Sequence, residues 1–187
     1  MTPTPAKGAV DVLAHARAHP ARLGSGRLIC VDGPAGSGKT TIAEEIGRLA
    51  AAPVVRLDDL YPGWSGLFEV EAVVLDLLQP LAEGRPGHYR RYDWGAREHQ
   101  ERHQVDPAPV LVLDGVGAGN RAWRELVTTL VWVEAPRAER LERAVARDGE
   151  RERDHLVAWM RDEDLLHADQ GTREAADLLI DTGPGLP

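Results

Sequence analysis

Residues 33–40 read Gly33-Pro34-Ala35-Gly36-Ser37-Gly38-Lys39-Thr40, the pattern of a phosphate-binding loop. Its glycines let the backbone curl until successive N–H groups point inward at phosphate oxygens. A helix N-terminus just beyond adds partial positive charge. Lys39 is the group that reaches the β- and γ-phosphates of a nucleotide, and Thr40 offers its hydroxyl to Mg²⁺. Gly33, Ala35, Gly36, Ser37, Gly38, Lys39, Thr40 and Thr41 are therefore the expected nucleotide contacts. Lys39 is one of two lysines in the chain, the other being Lys7, while the remaining basic charge is arginine. A lysine at this place points to a requirement of the site more than to composition.

The elements around the loop support the reading. Arg27–Asp32 is a short apolar run suited to a buried strand, and 41–50 carries Ile42, Ile46 and Leu49 at helical spacing. Strand, glycine loop, helix is the context the motif needs. Further strands are expected at 53–57, at 110–113, within 126–134 and at 178–180. Helices are expected at 10–19, 67–82, 136–147 and 155–168. Residues 1–8 read as a disordered tail, and 83–109 as a polar segment with no convincing period. Strands alternate with helices, and they are continuous apolar runs, as in a parallel sheet covered on both faces. The expected fold is α/β: five parallel strands with helices on both faces, in one domain over 9–187, with a small arginine-bearing lid at about 137–154. In such sheets ligands gather at the C-terminal strand ends.

Two more acidic sites fall at those ends. Asp58 and Asp59 close the second strand, where a carboxylate can accept a proton from an attacking hydroxyl or help hold Mg²⁺; a helix N-cap is the plainer alternative. Asp114 ends Val110-Leu111-Val112-Leu113, in position to orient Mg²⁺, although Asp-Gly is also an ordinary turn. Tyr92 and Trp94 lie in the polar segment with no apolar period to serve, which suits stacking on a planar ligand or pinning a loop. Arg140, Arg143 and Arg147, then Arg151 and Arg153, form a basic series. Arginines on a flap can stabilise a transferring phosphoryl group; equally, Glu139 and Arg143 can support a solvated helix at i,i+4.

The 187 residues are 43% apolar with a net charge of −8, which argues against nucleic acid or an anionic membrane as the main partner. The single cysteine, Cys30, lies in the first apolar run and fits a reducing compartment. No signal peptide or membrane-length run is visible, so a cytoplasmic protein is expected. Oligomeric state is not legible.

In this order the motifs resemble the uridine kinase and phosphoribulokinase branch of P-loop kinases, from about Arg27 to Asp181. Asp58-Asp59-Leu60-Tyr61 is similar to that family's Asp-Asp-Phe-Tyr, which implies Asp58 as the base and Tyr61 on the acceptor side. Tyr92-Asp93-Trp94 resembles the nucleoside-contacting Tyr-Asp-Phe. Val112-Leu113-Asp114-Gly115 resembles Val-Val-Glu-Gly, with aspartate for glutamate. Leu141–Asp148 and 150–154 resemble the lid segments, which implies roles for Arg143, Arg147, Arg151 and Arg153. Two departures stand out. The family's ribose-gripping Asp-His-Pro-Asp-Ala-Phe-Asp is replaced by Pro62-Gly63-Trp64-Ser65-Gly66. A nucleoside-reading histidine is, in register, Arg97, which suggests an anionic acceptor; the alternative is that Arg97 points to solvent or pairs with Glu101 at i,i+4.

The expectation is an ATP- and Mg²⁺-dependent kinase of a small hydroxylated metabolite. A nucleotide-responsive regulatory protein or weak NTPase is the alternative. A guanine-specific switch is disfavoured, because neither lysine follows an asparagine as Asn-Lys-x-Asp requires.

Overall fold

The computed structural model describes residues 5–183. Five parallel strands form the main sheet in the order β2-β5-β1-β6-β7: β1 (Arg27–Asp32), β2 (Val54–Arg56), β5 (Val110–Asp114), β6 (Val127–Glu134) and β7 (Leu178–Asp181). The helices are α1 (Pro5–Ala18), α2 (Lys39–Ala50), α3 (Val70–Ala82), α4 (Arg137–Asp148) and α5 (Arg153–Gln170). The fold class expected from the apolar runs is the one observed.

The central strand shows why those runs are continuous. Leu28 and Cys30 of β1 point into one core, with Val74, Leu77 and Leu78 of α3 and Trp159 and Leu166 of α5. Ile29 and Val31 point into the other, with Val12, Leu13 and Ala16 of α1 and Ile42 and Ile46 of α2. Both faces of β1 are buried, so alternation disappears. From β1 the chain crosses to β2 on one side and later returns to β6 and β7 on the other. The crevice at this switch point lies where the phosphate loop leaves β1.

Two expectations are corrected. Residues 5–8, read as part of a tail, form the first turn of α1, where Pro5 is tolerated because its missing N–H has no helical partner to lose; residues 1–4 lie outside the described residues. The polar segment 83–109 contains an antiparallel hairpin, β3 (Gly87–Asp93) and β4 (Glu98–Val105). Its strands carry Arg, His, Gln and Glu on both faces and show no apolar alternation, so periodicity could not reveal them.

One buried carboxylate joins three parts of the fold. Asp32, at the end of β1, is fully buried. It accepts hydrogen bonds from the backbone N–H of Gly33 at 2.6 Å, Gly117 at 2.8 Å and Gly119 at 2.8 Å. His167 Nε2 of α5 lies 3.2 Å away. Burial alone would raise the carboxyl's pKa, but the His167 hydrogen bond and charge, with the Gly119 and Gly33 amides, outweigh it, and the net direction is down. A depressed carboxylate contributes stability above its unfolded pKa and loses it as pH falls through the lower folded value. Asp32→Ala should therefore destabilise the protein by about 3–5 kcal/mol at pH 7, since it strands three amides and a histidine. Urea denaturation measures this, and the difference from wild type should shrink in strong acid.

Candidate active site

The phosphate loop is shaped by backbone that only glycine accepts. Gly33 has φ +134°, and a Cβ there would lie 2.1 Å from Val133 O; Gly36 has φ +76°, and a Cβ would lie 2.2 Å from Arg140 O. Gly38 begins α2 with no side-chain cap, and the first turn carries no acidic residue. The free N–H groups of that turn are thus left to an anion. Lys39 is buried, with Nζ donating to Pro34 O at 2.9 Å. Thr40 Oγ1 donates to Asp114 Oδ2 at 2.8 Å. The other carboxylate oxygen, Asp114 Oδ1, is buried and has no hydrogen-bond partner among the described residues; the same holds for Ser37 Oγ. Burial pushes the Asp114 carboxyl up to about 6, against the pull of Lys39 and the Thr40 hydrogen bond and with a further push from Asp58.

Parallel pairing of β2 with β5 sets Arg56 opposite Asp114. It brings the 3₁₀ turn Leu57–Asp59 to the same strand end. Asp58 is exposed there, and its charge is felt at Asp114 and at Arg147 of α4. Asp59 is half-buried; burial raises its pKa, Arg56 opposes this, Asp58 adds to it, and Arg91 and His103 of the hairpin oppose it. The two acids therefore sit in different fields: Asp58 is sensed at Asp114 and Arg147, whereas Asp59 senses Arg56, Arg91 and His103.

The loop is braced from behind. Glu163, fully buried on α5, accepts from Ala35 N at 2.7 Å and from Arg140 Nη1 at 2.8 Å. Arg140 also donates to Ala35 O at 3.3 Å and to Ala135 O at 3.1 Å. Thr182 Oγ1 donates to Ser37 O at 2.6 Å. Asp32, Glu163, His167 and Thr182 were not singled out from the sequence. Asp32, an acid closing an apolar strand directly before the loop, was the one with a local signal.

The remaining expected residues divide. Trp94 and Asp58 meet, through a hydrogen bond from Trp94 Nε1 to Asp58 O at 2.9 Å. Tyr92 packs edge-on to Trp94 at 5.6 Å and is buried. Trp64 lies 5.2 Å from Trp94 and stacks on His155 at 5.4 Å. Tyr61, expected to touch an acceptor, is fully buried instead; its hydroxyl donates to Val116 O at 2.6 Å and its ring meets Trp159 at 5.0 Å. A phenol with its hydrogen bond satisfied in the core is a packing residue. Arg97 is also corrected. It sits exposed in the hairpin turn with φ +58°, and among the described residues its side chain makes no hydrogen bond or ion pair. Glu101 pairs with Arg91 instead, at 2.6 Å. Arg143 is held by Glu139 and Thr182. Arg147 is held by Asp148, and Arg153 by Glu150 and Glu142. Arg151 is exposed in the 3₁₀ turn between α4 and α5. Arg140, which the series placed on a polar helix face, turns inward. Thr41 is exposed on the first turn of α2.

The chain matches the family described as "AAA domain" over residues 29–166, well over half its length, and belongs to that family. The fold is that of P-loop kinases. A "possible uridine kinase" from Bacillus stearothermophilus superposes with a TM-score of 0.67 at 18% identity, covering 92% of this chain and 97% of that one. A provisionally named fructose transport system kinase from Silicibacter sp. TM1040 superposes at 0.60 with 22% identity, over 95% and 98%. No curated protein matches the chain. No helix among the described residues is long and apolar enough to cross a membrane.

The buried charge of Asp114 has a consequence for stability. Its folded pKa lies above the ordinary carboxylate value, so its ionised form weakens the nucleotide-free fold, increasingly as pH rises from about 4 to 6. Asp114→Asn should stabilise the nucleotide-free protein by on the order of 1–3 kcal/mol at pH 7, given about 1.4 kcal/mol per tenfold change in acidity. Urea denaturation at pH 7 and pH 4.5 should show a gain that is much smaller in acid.

Proposed function

We propose that this protein is a kinase that transfers the γ-phosphoryl group of ATP to a hydroxyl of a small metabolite. The observation that carries the proposal is the pair Thr40–Asp114. It places a hydroxyl and a buried carboxylate with one unused oxygen beside Lys39, at the strand end that also presents Asp58. An unpaired buried carboxylate oxygen is costly, and a divalent ion satisfies it. No group of three or more His, Cys, Asp or Glu among the described residues could hold a metal alone. This fits Mg²⁺, which keeps several waters and is bound by one or two protein ligands together with phosphates. Thr40 and Asp114 would hold it, and it would neutralise charge on the phosphate oxygens.

The chain's own groups supply the rest. The loop amides and Lys39 bind and orient the phosphates. Asp58 takes the proton of the acceptor hydroxyl as its oxygen forms the new bond to phosphorus, and ADP leaves. Arg147, already in the field of Asp58, is the lid cation best placed to meet charge on the transferring group. Arg143, Arg147 and Arg153 each hold a carboxylate partner that they would exchange for the transferring group. The acceptor is a small molecule, not a nucleic acid or a membrane, in keeping with the charge of −8. A cytoplasmic setting accords with the free, buried Cys30.

One observation favours a second reading. Trp64, in the segment that replaces the family's ribose grip, is packed among Trp94, His155 and Trp159, so an aromatic packing cluster stands where the family grips an acceptor. A nucleotide-responsive protein with weak hydrolysis would release ADP at a rate indifferent to any acceptor. A screen of nucleosides, nucleotides and sugars for acceptor-dependent ADP release separates the two.

Lys39→Ala should abolish acceptor-dependent ADP release in a folded protein, and unchanged turnover would contradict the assignment. Asp58→Asn should lower kcat by about 10²–10⁴-fold, the usual contribution of a general base, with little change in ATP affinity. Steady-state kinetics at saturating nucleotide measures both.

A further inference from the structure

The turn that carries Asp58 is held in place by a side chain from outside it. Within the turn, the amides of Leu60 and Tyr61 both bond to Leu57 O, at 2.8 and 3.0 Å. The carbonyl of Asp58 instead accepts from Trp94 Nε1, thirty-six residues along the chain, at 2.9 Å. The hairpin that delivers Trp94 is built to present it. Asp93 Oδ1 accepts from Gly95 N at 2.8 Å and Ala96 N at 2.9 Å, and Arg97 N closes back on Asp93 O at 2.7 Å. That closure explains the left-handed backbone of Arg97, which serves turn geometry rather than a ligand. The indole is fixed in rotation by edge contacts from Trp64 at 66° and Tyr92 at 87°. With its N–H bonded and two aromatic neighbours against it, Trp94 is already occupied in the role of a strut.

We propose that Trp94 is a positioning residue for Asp58: its indole N–H locks the 3₁₀ turn that holds this residue at the end of β2, at the same strand end as Asp114. The hairpin is thereby a part of the catalytic apparatus, tied to it by one hydrogen bond, rather than a stacking platform for the acceptor. The kinetic consequence rests on the reading of Asp58 as base; the structural one does not.

The test compares wild type with two proteins made by unnatural-residue incorporation at position 94. One carries 3-benzothienylalanine, which keeps the ring's shape and replaces the N–H by sulfur. The other carries 5-fluorotryptophan, which keeps the N–H and serves as the conservative rescue. Amide hydrogen exchange of Leu60 and Tyr61 should accelerate about tenfold with the sulfur analogue, the size expected for one ordinary hydrogen bond. It should stay at the wild-type rate with 5-fluorotryptophan and be unchanged elsewhere in the chain. With the best acceptor from the nucleoside, nucleotide and sugar screen, kcat should fall about tenfold with the sulfur analogue. The KM values for ATP and acceptor should hold within about twofold. Unchanged exchange at residues 58–61, or acceleration spread over the whole chain, overturns the proposal; so does a rise in acceptor KM at constant kcat, which would make Trp94 a stacking residue. If exchange responds as described but no acceptor in the screen is phosphorylated, the hold on the turn stands and the kinase reading fails.

Discussion

The structure depends on a carboxylate buried beneath its phosphate loop. Asp32 has no access to solvent, and a lone ionised carboxylate in such a place is prohibitively unfavourable. It persists because three backbone amides and His167 converge on it. Those partners come from the start of the phosphate loop, from the loop that follows Asp114, and from α5. Each of those segments is irregular or distant in sequence, and their relative placement is what sets Lys39 and Thr40 against Asp114. Without the hub, β1 and β5 would still pair, but the loops at their ends would have no common anchor.

A second buried pair extends the brace to α4 and α5. Arg140 of α4 and Glu163 of α5 meet on both polar groups of Ala35, one donating to its carbonyl and one accepting from its amide. Replacing a buried ion pair by apolar residues is often neutral for stability, so the value of this one lies in geometry. It roots α4 and α5 on the phosphate loop. Beyond the roots, the pairs formed by Arg143, Arg147 and Arg153 are exposed and weakly stabilising. The segment 137–154 is thus firm at Arg140 and more loosely held toward Arg147 and Arg151.

Much of this was legible in the sequence. Four of the five strands were readable because each is buried on both faces or leads into a candidate site residue; β7, with Leu179 exposed, was readable only as a short apolar run. The phosphate loop and Asp114 were readable because their chemistry restricts residue type locally. The hairpin was not, because its strands are polar on both faces and its pairing, as of Tyr89 with His103, is invisible to periodicity. Tyr61 and Arg97 misled in opposite ways. Tyr61 looked like a ligand contact by its place in the Asp58-Asp59-Leu60-Tyr61 motif, yet a single carbonyl satisfies it in the core. Arg97 looked like a recognition residue by register, yet the turn it occupies directs it to solvent. The hubs at Asp32 and Glu163 join residues up to 135 apart. Only the folded chain brings those together; Asp32 has a local mark as the acid that closes an apolar strand, but its partners and Glu163 have none.

The central claim is that the strand-end constellation of Lys39, Thr40, Asp114 and Asp58 moves a phosphoryl group onto a hydroxyl acceptor. Phosphorus NMR of MgATP incubated with the protein and a mixture of nucleosides and sugars tests it most directly, because it follows the phosphoryl group itself. The account predicts a new phosphate monoester resonance that grows in step with ADP, with little inorganic phosphate. Inorganic phosphate as the sole new product, formed at the same rate with and without the mixture, would contradict it.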